Sequence, residues 1–123
     1  MVAAWPDRRF AELLGSRHPI IQAPMAGAGG IALAVAAIQS GAVGSLPCAM
    51  LTAEEVIGQA AEVRAQASGP LNLNFFCHVM PDGTDDAAWR ALLRPFYDEY
   101  GIDDAEAAGP VRRPFDEAMA SAV

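Results

Sequence analysis

The sequence predicts an α/β domain with parallel strands, and three observations carry that prediction. Short apolar runs alternate with longer helical patterns in the order strand, helix, strand, helix, strand. Each crossover is long enough to bring the chain back to the same end of a sheet, which an antiparallel hairpin does not require. With 123 residues and 53% hydrophobic content, the chain is too apolar for disorder and long enough for one buried core.

The first strand is read at Pro19 to Pro24, where Ile20 and Ile21 are β-branched and a proline bounds each side. Gly27, Gly29 and Gly30 then break it. Ile31 to Gln39 is a helix stopped by Ser40 and Gly41; its apolar residues go nearly all round, which suits a helix packed on a sheet and partly covered from outside. Ala42 to Leu46 is a second strand, closed by Pro47. Thr52 and Glu55 have capping-box spacing, so a helix begins at Ala53 and runs to about Ala67, with Val56, Ala60 and Val63 as its apolar stripe. Ser68, Gly69 and Pro70 end it.

The third strand is Leu71 to Phe76, with Leu71, Leu73 and Phe75 on one face and Asn72, Asn74 and Phe76 on the other. Pro81, Asp82 and Gly83 make a turn. Asp85 to Tyr100 reads as a helix with Trp89, Leu92, Leu93 and Phe96 on one face, and Pro95 is expected to kink it or break it early. Gly101 to Val111 is loop, and Pro114 is placed as the first residue of a last helix.

The net charge is −7 and every basic residue is arginine, a balance that repels phosphate polymers and argues against nucleic acid as a partner. No signal-peptide pattern follows Met1 to Phe10, and no run approaches the roughly 18 apolar residues of a membrane span. A soluble, cytoplasmic protein without membrane partners is expected. Cys48 and Cys77 lack CxxC spacing, which argues against a zinc site or a redox dithiol, so no metal ligands are assigned.

Gly27, Gly29 and Ala32 satisfy G-x-G-x-x-A between a strand and a helix, the pattern of a dinucleotide fold. That fold also needs an acid at the end of the second strand to bind ribose hydroxyls, where this sequence has Leu46, Pro47 and Cys48. The plainer reading is that the glycines only let the backbone turn and the helix lie close to the sheet.

Three motifs weigh on that choice: Gln22-Ala23-Pro24-Met25-Ala26-Gly27, Ser40-Gly41-Ala42-Val43-Gly44-Ser45-Leu46 and Pro70-Leu71-Asn72-Leu73-Asn74-Phe75-Phe76. In this order, each at a strand end, they resemble the nitronate monooxygenase family, the FMN enzymes once called 2-nitropropane dioxygenases. Cys77-His78, Trp89-Arg90, Pro95-Phe96-Tyr97 and Arg113-Pro114-Phe115-Asp116-Glu117 extend the likeness along nearly the whole chain, toward a bacterial branch of that family.

The resemblance implies the N-terminal portion of a parallel (β/α)8 TIM barrel, about three βα units plus a helical insertion, with FMN at the carboxyl ends of the strands. Residues 1–123 would form an incomplete FMN-binding domain, with a βαβαβ core at about 18–77 and a helical and loop extension at about 78–123. Ala23, Pro24, Met25 and Ala26 would belong to the cofactor site, the backbone at the last three lining the flavin ring and Asn74 hydrogen-bonding to it. The expected reaction is oxidation of an alkyl nitronate by O2. Related barrels reduce quinones or enoyl thioesters with NAD(P)H, and a noncatalytic fragment acting as a binding module is the remaining alternative.

Three strands cannot close an eight-stranded barrel, so the chain reads as a piece whose open edges and activity call for the complementary C-terminal half. The FMN phosphate loops and the catalytic histidine that the resemblance implies fall outside it, so no catalytic residue is assigned within the chain. His78 reads as a solvated loop histidine, and Cys48 and Cys77 as packing residues, since nothing nearby is basic enough to favour a thiolate. His18 lies at the amino end of the first strand, away from chemistry in such a barrel. Asp85, Asp86, Asp103, Asp104 and Glu106 read as solvated surface, one of the first two favoured by a helix dipole.

Overall fold

A computed structural model describes residues 5–80, 85–103 and 114–123. The chain runs α1 (Arg9–Leu14), α2 (Ile31–Gln39), β1 (Gly44–Pro47), α3 (Ala53–Gln66), β2 (Leu71–Asn74), α4 (Ala87–Tyr100) and α5 (Glu117–Ala122). Strands β1 and β2 pair in parallel, with Ser45 opposite Asn72 and Pro47 opposite Asn74. A further parallel bridge joins Ile21 to Val43. The α/β class and the parallel pairing are therefore present.

The first strand is shorter than expected: of Pro19–Pro24, only Ile21 is paired. The ladder starts normally, Val43 N–H donating to the Ile20 carbonyl and Gln22 N–H to the Val43 carbonyl, both at 2.9 Å. The next donor on this strand falls at Pro24, which has no N–H, and the corresponding Ser45 N–H donates instead to the Gln22 side-chain Oε1 at 2.7 Å. Pro47 removes the donor after that, so the ladder ends below the rim.

The second strand is displaced toward Gly44–Pro47 from the expected Ala42–Leu46, because Ala42 N–H still donates to the Ala37 carbonyl and belongs to the end of α2. The third ends at Asn74 rather than Phe76. Its neighbour stops there, Cys48 N–H making the last contact with the Asn74 carbonyl at 2.9 Å.

Helices α2 and α3 pack on one face of this sheet. Ala34, Val35 and Ile38 of α2 meet Leu46 and Cys48 of β1 and Val56, Ala60 and Val63 of α3, the expected stripe, in one buried cluster. Gly44 permits the closest approach, since a Cβ there would lie 2.5 Å from the Ala34 carbonyl oxygen. The outer side of α2 is less covered than its composition suggests: Ala32, Leu33 and Ala36 are exposed. The Thr52–Glu55 capping box forms, each residue's side chain accepting the other's backbone N–H.

Helix α4 passes through Pro95 without a break and begins at Ala87 rather than Asp85. Proline leaves the Ala91 carbonyl without its helical donor, at a position that is exposed and so open to solvation. Pro114 is not in the last helix: Asp116 caps it, its carboxylate accepting from Met119 N–H at 2.8 Å, and a charged cap at that position outcompetes a start three residues earlier. Helix α1 has no counterpart among the predicted elements. It is six residues long, too short for a periodic signal, and its mark in the sequence is Gly15, the left-handed C-cap at φ 67°.

Beyond β2 the chain divides. No residue of α4 is buried, whereas residues 114–123 return to the core, Phe115 N–H donating to the Phe76 carbonyl at 2.7 Å and Met119 packing on the α2–α3 cluster. Helix α5 lies against α3, and α4 stands between β2 and α5 in the chain. The expected turn at Pro81–Gly83, most of the Gly101–Val111 loop, and Asp104 and Glu106 lie outside the described residues.

Candidate functional site

Parallel pairing gathers the carboxyl ends of the strands at one rim, and it is there that the candidate residues meet. Pro24 lies three residues beyond the Ile21–Val43 bridge, and on β1 Pro47 stands opposite Asn74. β1 thus separates the Ala23–Ala26 segment from Asn74. Ala23, Met25 and Ala26 are exposed, whereas Pro24 and Asn74 are half-buried.

The loop after Pro24 is a turn closed on the Met25 carbonyl. The Met25 carbonyl accepts N–H bonds from Ala28 at 3.2 Å and Gly29 at 2.6 Å. Gly27 sits at φ 79°, the value a type II turn needs at its third position. At Gly29 a Cβ would sit tightly, 3.1 Å from the Met25 oxygen. The Ala23 carbonyl is engaged as well, by Nε2 of Gln22. With these acceptors used, the N–H groups of Met25, Ala26 and Gly27 have no hydrogen-bond partner among the described residues. Three consecutive donors at a rim suit a ligand edge rich in acceptors.

Asn74 adds a fourth polar group. Its carbonyl is taken by Cys48 N–H, but its side-chain amide has no partner among the described residues. Asn72, one turn of the pleat below on the same face, donates to Ser45 Oγ at 3.1 Å and is spoken for, as expected of a structural residue. The face that carries Ser45, Pro47, Asn72 and Asn74 is the one opposite α2 and α3.

Around this rim the other candidates sort by burial. Cys48 is 1% exposed, and burial pushes its thiol up from its ordinary value, so it stays protonated and inert. Cys77 is exposed rather than packed, because β2 has already ended; it lines an open cleft of about 460 Å³ with Asn74, Phe75 and Phe115. His78 is exposed, as a solvated loop histidine should be, its ring edge-on to Phe76. His18 is at the far end of the sheet, where its Nδ1 accepts from Trp5 Nε1 at 3.1 Å. Among the described residues no group of three or more His, Cys, Asp or Glu is arranged to hold a metal, and no helix is long and apolar enough to cross a membrane.

The dinucleotide reading finds no support in this geometry. Its third position, Ala32, is exposed on α2, and the close helix–strand approach it should provide is made by Gly44 instead. Three features of the rim were not singled out from the sequence: Gln22 as a bridge, the free N–H row, and Phe115, whose ring lies 4.7 Å from that of Phe75. Pro24 and Pro47 were the available signal for the first, since two prolines at adjacent strand ends silence a ladder.

The family model for nitronate monooxygenase matches residues 8–113. Over 97 residues the chain is 41% identical to the nitronate monooxygenase of Pseudomonas aeruginosa, a match covering 77% of this chain and 28% of that protein. It is 38% identical over 96 residues to the one from Paraburkholderia phytofirmans, covering 76% of this chain and 26% of the relative. The chain thus spans about a quarter of the length of the curated relatives it matches. Among solved structures, FabK from Thermotoga maritima aligns with a TM-score of 0.53 at 24% identity, over 75% of this chain and 27% of FabK, a likeness of fold. A mutant of the same protein gives 0.54 at 26%, over 76% and 29%.

Proposed function

Because the chain belongs to the nitronate monooxygenase family, we propose that it supplies the first three βα units of a parallel (β/α)8 barrel that holds FMN and oxidises alkyl nitronates with O2. The observation that carries this reading is the row of free donors at Met25, Ala26 and Gly27 on the same rim as the unpartnered Asn74 amide. A flavin presents an acceptor-rich pyrimidine edge and an apolar ring, and both halves of that surface have a match here.

In this reading the Met25–Gly27 N–H groups donate to the flavin edge, Asn74 hydrogen-bonds beside them, and Pro24 and Met25 give rigid apolar contact. Bound FMN would supply the redox chemistry between the nitronate and oxygen. Fixed donors against the ring would stabilise charge that develops there, with no reorganisation at the moment of reaction. The phosphate site and the histidine that would accept the proton of a neutral nitroalkane come from the complementary part of the barrel: His18 is at the wrong end of the strands and His78 stands in solvent.

The test is a chimera in which this chain replaces the matched segment of the Pseudomonas aeruginosa relative. It is expected to purify with flavin absorbance and to consume oxygen with an alkyl nitronate, while the chain alone stays colourless. Asn74→Ala should weaken FMN about tenfold, the effect of about 1.4 kcal/mol from one lost hydrogen bond. A colourless chimera sinks the cofactor site and leaves a noncatalytic module. A yellow one that ignores nitronate but oxidises NAD(P)H with a quinone or an enoyl thioester makes the chain part of a reductase instead.

A further inference from the structure

We propose that Gln22 is a positioning residue for the cofactor rim, acting with Ser45 and Asn72 as a polar tie across three strands; this rests on the flavin reading above. The need for such a tie follows from the prolines. Pro24 and Pro47 remove the two backbone donors that would continue the ladder between the first strand and β1, just where the candidate site begins. Without a substitute the Ala23–Ala26 segment would be held to the sheet only from Gln22 backward.

Gln22 provides the substitute with both ends of its amide. Oε1 accepts from Ser45 N–H at 2.7 Å, in place of the Gln22 backbone carbonyl that this N–H would meet in a regular ladder. Nε2 donates to the Ala23 carbonyl, the residue that leads into the turn. The polarity of the amide is set by its partners, since an N–H needs the oxygen and a carbonyl needs the nitrogen. On its other side Ser45 Oγ accepts from Asn72 Nδ2 at 3.1 Å, and Ser45 is fully buried. The chain of contacts therefore runs from the first strand through β1 to β2, two residues below Asn74.

The consequence is directional. By engaging the Ala23 carbonyl, Gln22 occupies that acceptor, as Ala28 and Gly29 do for the Met25 carbonyl, while the N–H groups of Met25, Ala26 and Gly27 keep no partner among the described residues. A carbonyl released at Ala23 would bring a lone pair to a site meant for an acceptor-rich edge. Gln22 tunes the site without touching the ligand itself.

Two variants of the chimera separate this role from plain stability. Gln22→Glu retains an acceptor for Ser45 N–H but has no donor for the Ala23 carbonyl; it should leave the urea midpoint unchanged while weakening FMN about tenfold and shifting the bound-flavin absorbance band. Gln22→Met removes both contacts and should lower the midpoint as well. Gln39→Met, which gives up a 3.4 Å contact with the Gln66 carbonyl away from the rim, is the control and should leave the FMN affinity and spectrum unchanged. If the parent chimera is yellow and Gln22→Glu binds FMN with the parent's affinity and spectrum, the positioning role is overturned and the flavin site stands. A colourless parent overturns both. Should Gln22→Met fail to fold, Gln22→Glu and its spectrum still decide.

Discussion

Helices α3 and α4 are each 14 residues long, and the one with the stronger apolar face is the one that is not buried. In α4, Trp89, Leu92, Leu93 and Phe96 line one side, yet Trp89 is 67% exposed and no residue of the helix is buried. In α3 the apolar stripe is only Val56, Ala60 and Val63, flanked by charge, and all three are at most 4% exposed. What separates them is the partner. α3 is delivered by short connections onto a sheet and against α2, with a capping box at its start, whereas α4 leaves β2 at the end of its ladder and meets no surface of comparable shape among the described residues. Amphipathicity states that a helix wants a partner; it does not state that one is in reach.

The sharpest way to break this comparison is in the core that α3 helps to form. Leu46→Ala, at a fully buried position between α2 and α3, is expected to cost about 2–5 kcal/mol in urea unfolding of the chimera. A cost below that range would mean that the cluster is loosely packed. Thr52→Ala, which removes the side chain capping α3, should cost about 1 kcal/mol by the same measurement.

The cap also carries a pH signature. Hydrogen bonds from the Thr52 backbone and side chain hold the Glu55 carboxyl below its ordinary 4.5, so the folded state favours the ionised form. Its contribution is therefore complete above pH 4.5 and is lost as the pH falls through the lowered value. Far-UV circular dichroism and urea midpoints between neutral and acid pH should show this loss in the parent and not in Glu55→Gln. At the small end, Leu92→Ala on the exposed face of α4 should move the midpoint by no more than about 0.5 kcal/mol, even though it deletes a larger side chain than either valine of α3. A loss of several kcal/mol there would show that α4 has a covered face after all.

The candidate rim was legible in part. Pro24, Met25 and Asn74 stand out because prolines, glycines and an amide at strand ends are costly unless the backbone or a ligand uses them. Gln22 was not legible as a bridge, because glutamine at a strand end carries no local signal; its role exists only opposite Ser45, a residue 23 positions away. Phe115 is similar. It reads as the edge of a terminal helix, and only the fold sets it on Phe75 and Phe76.

Local chemistry determined the order of helices and strands, the Thr52–Glu55 cap, the α3 stripe, the turn at Gly27 and the family, since each is written in neighbouring residues whose energetics do not depend on what lies opposite. Tertiary structure alone decided how far the first strand pairs, that Pro95 does not end α4, that α4 stays uncovered, and that α5 returns to the core. These are differences between competing partners for the same groups: an N–H taken by a side chain instead of a carbonyl, or an apolar face with no surface to meet. Such competition is settled by distances between segments remote in sequence, which no local pattern contains.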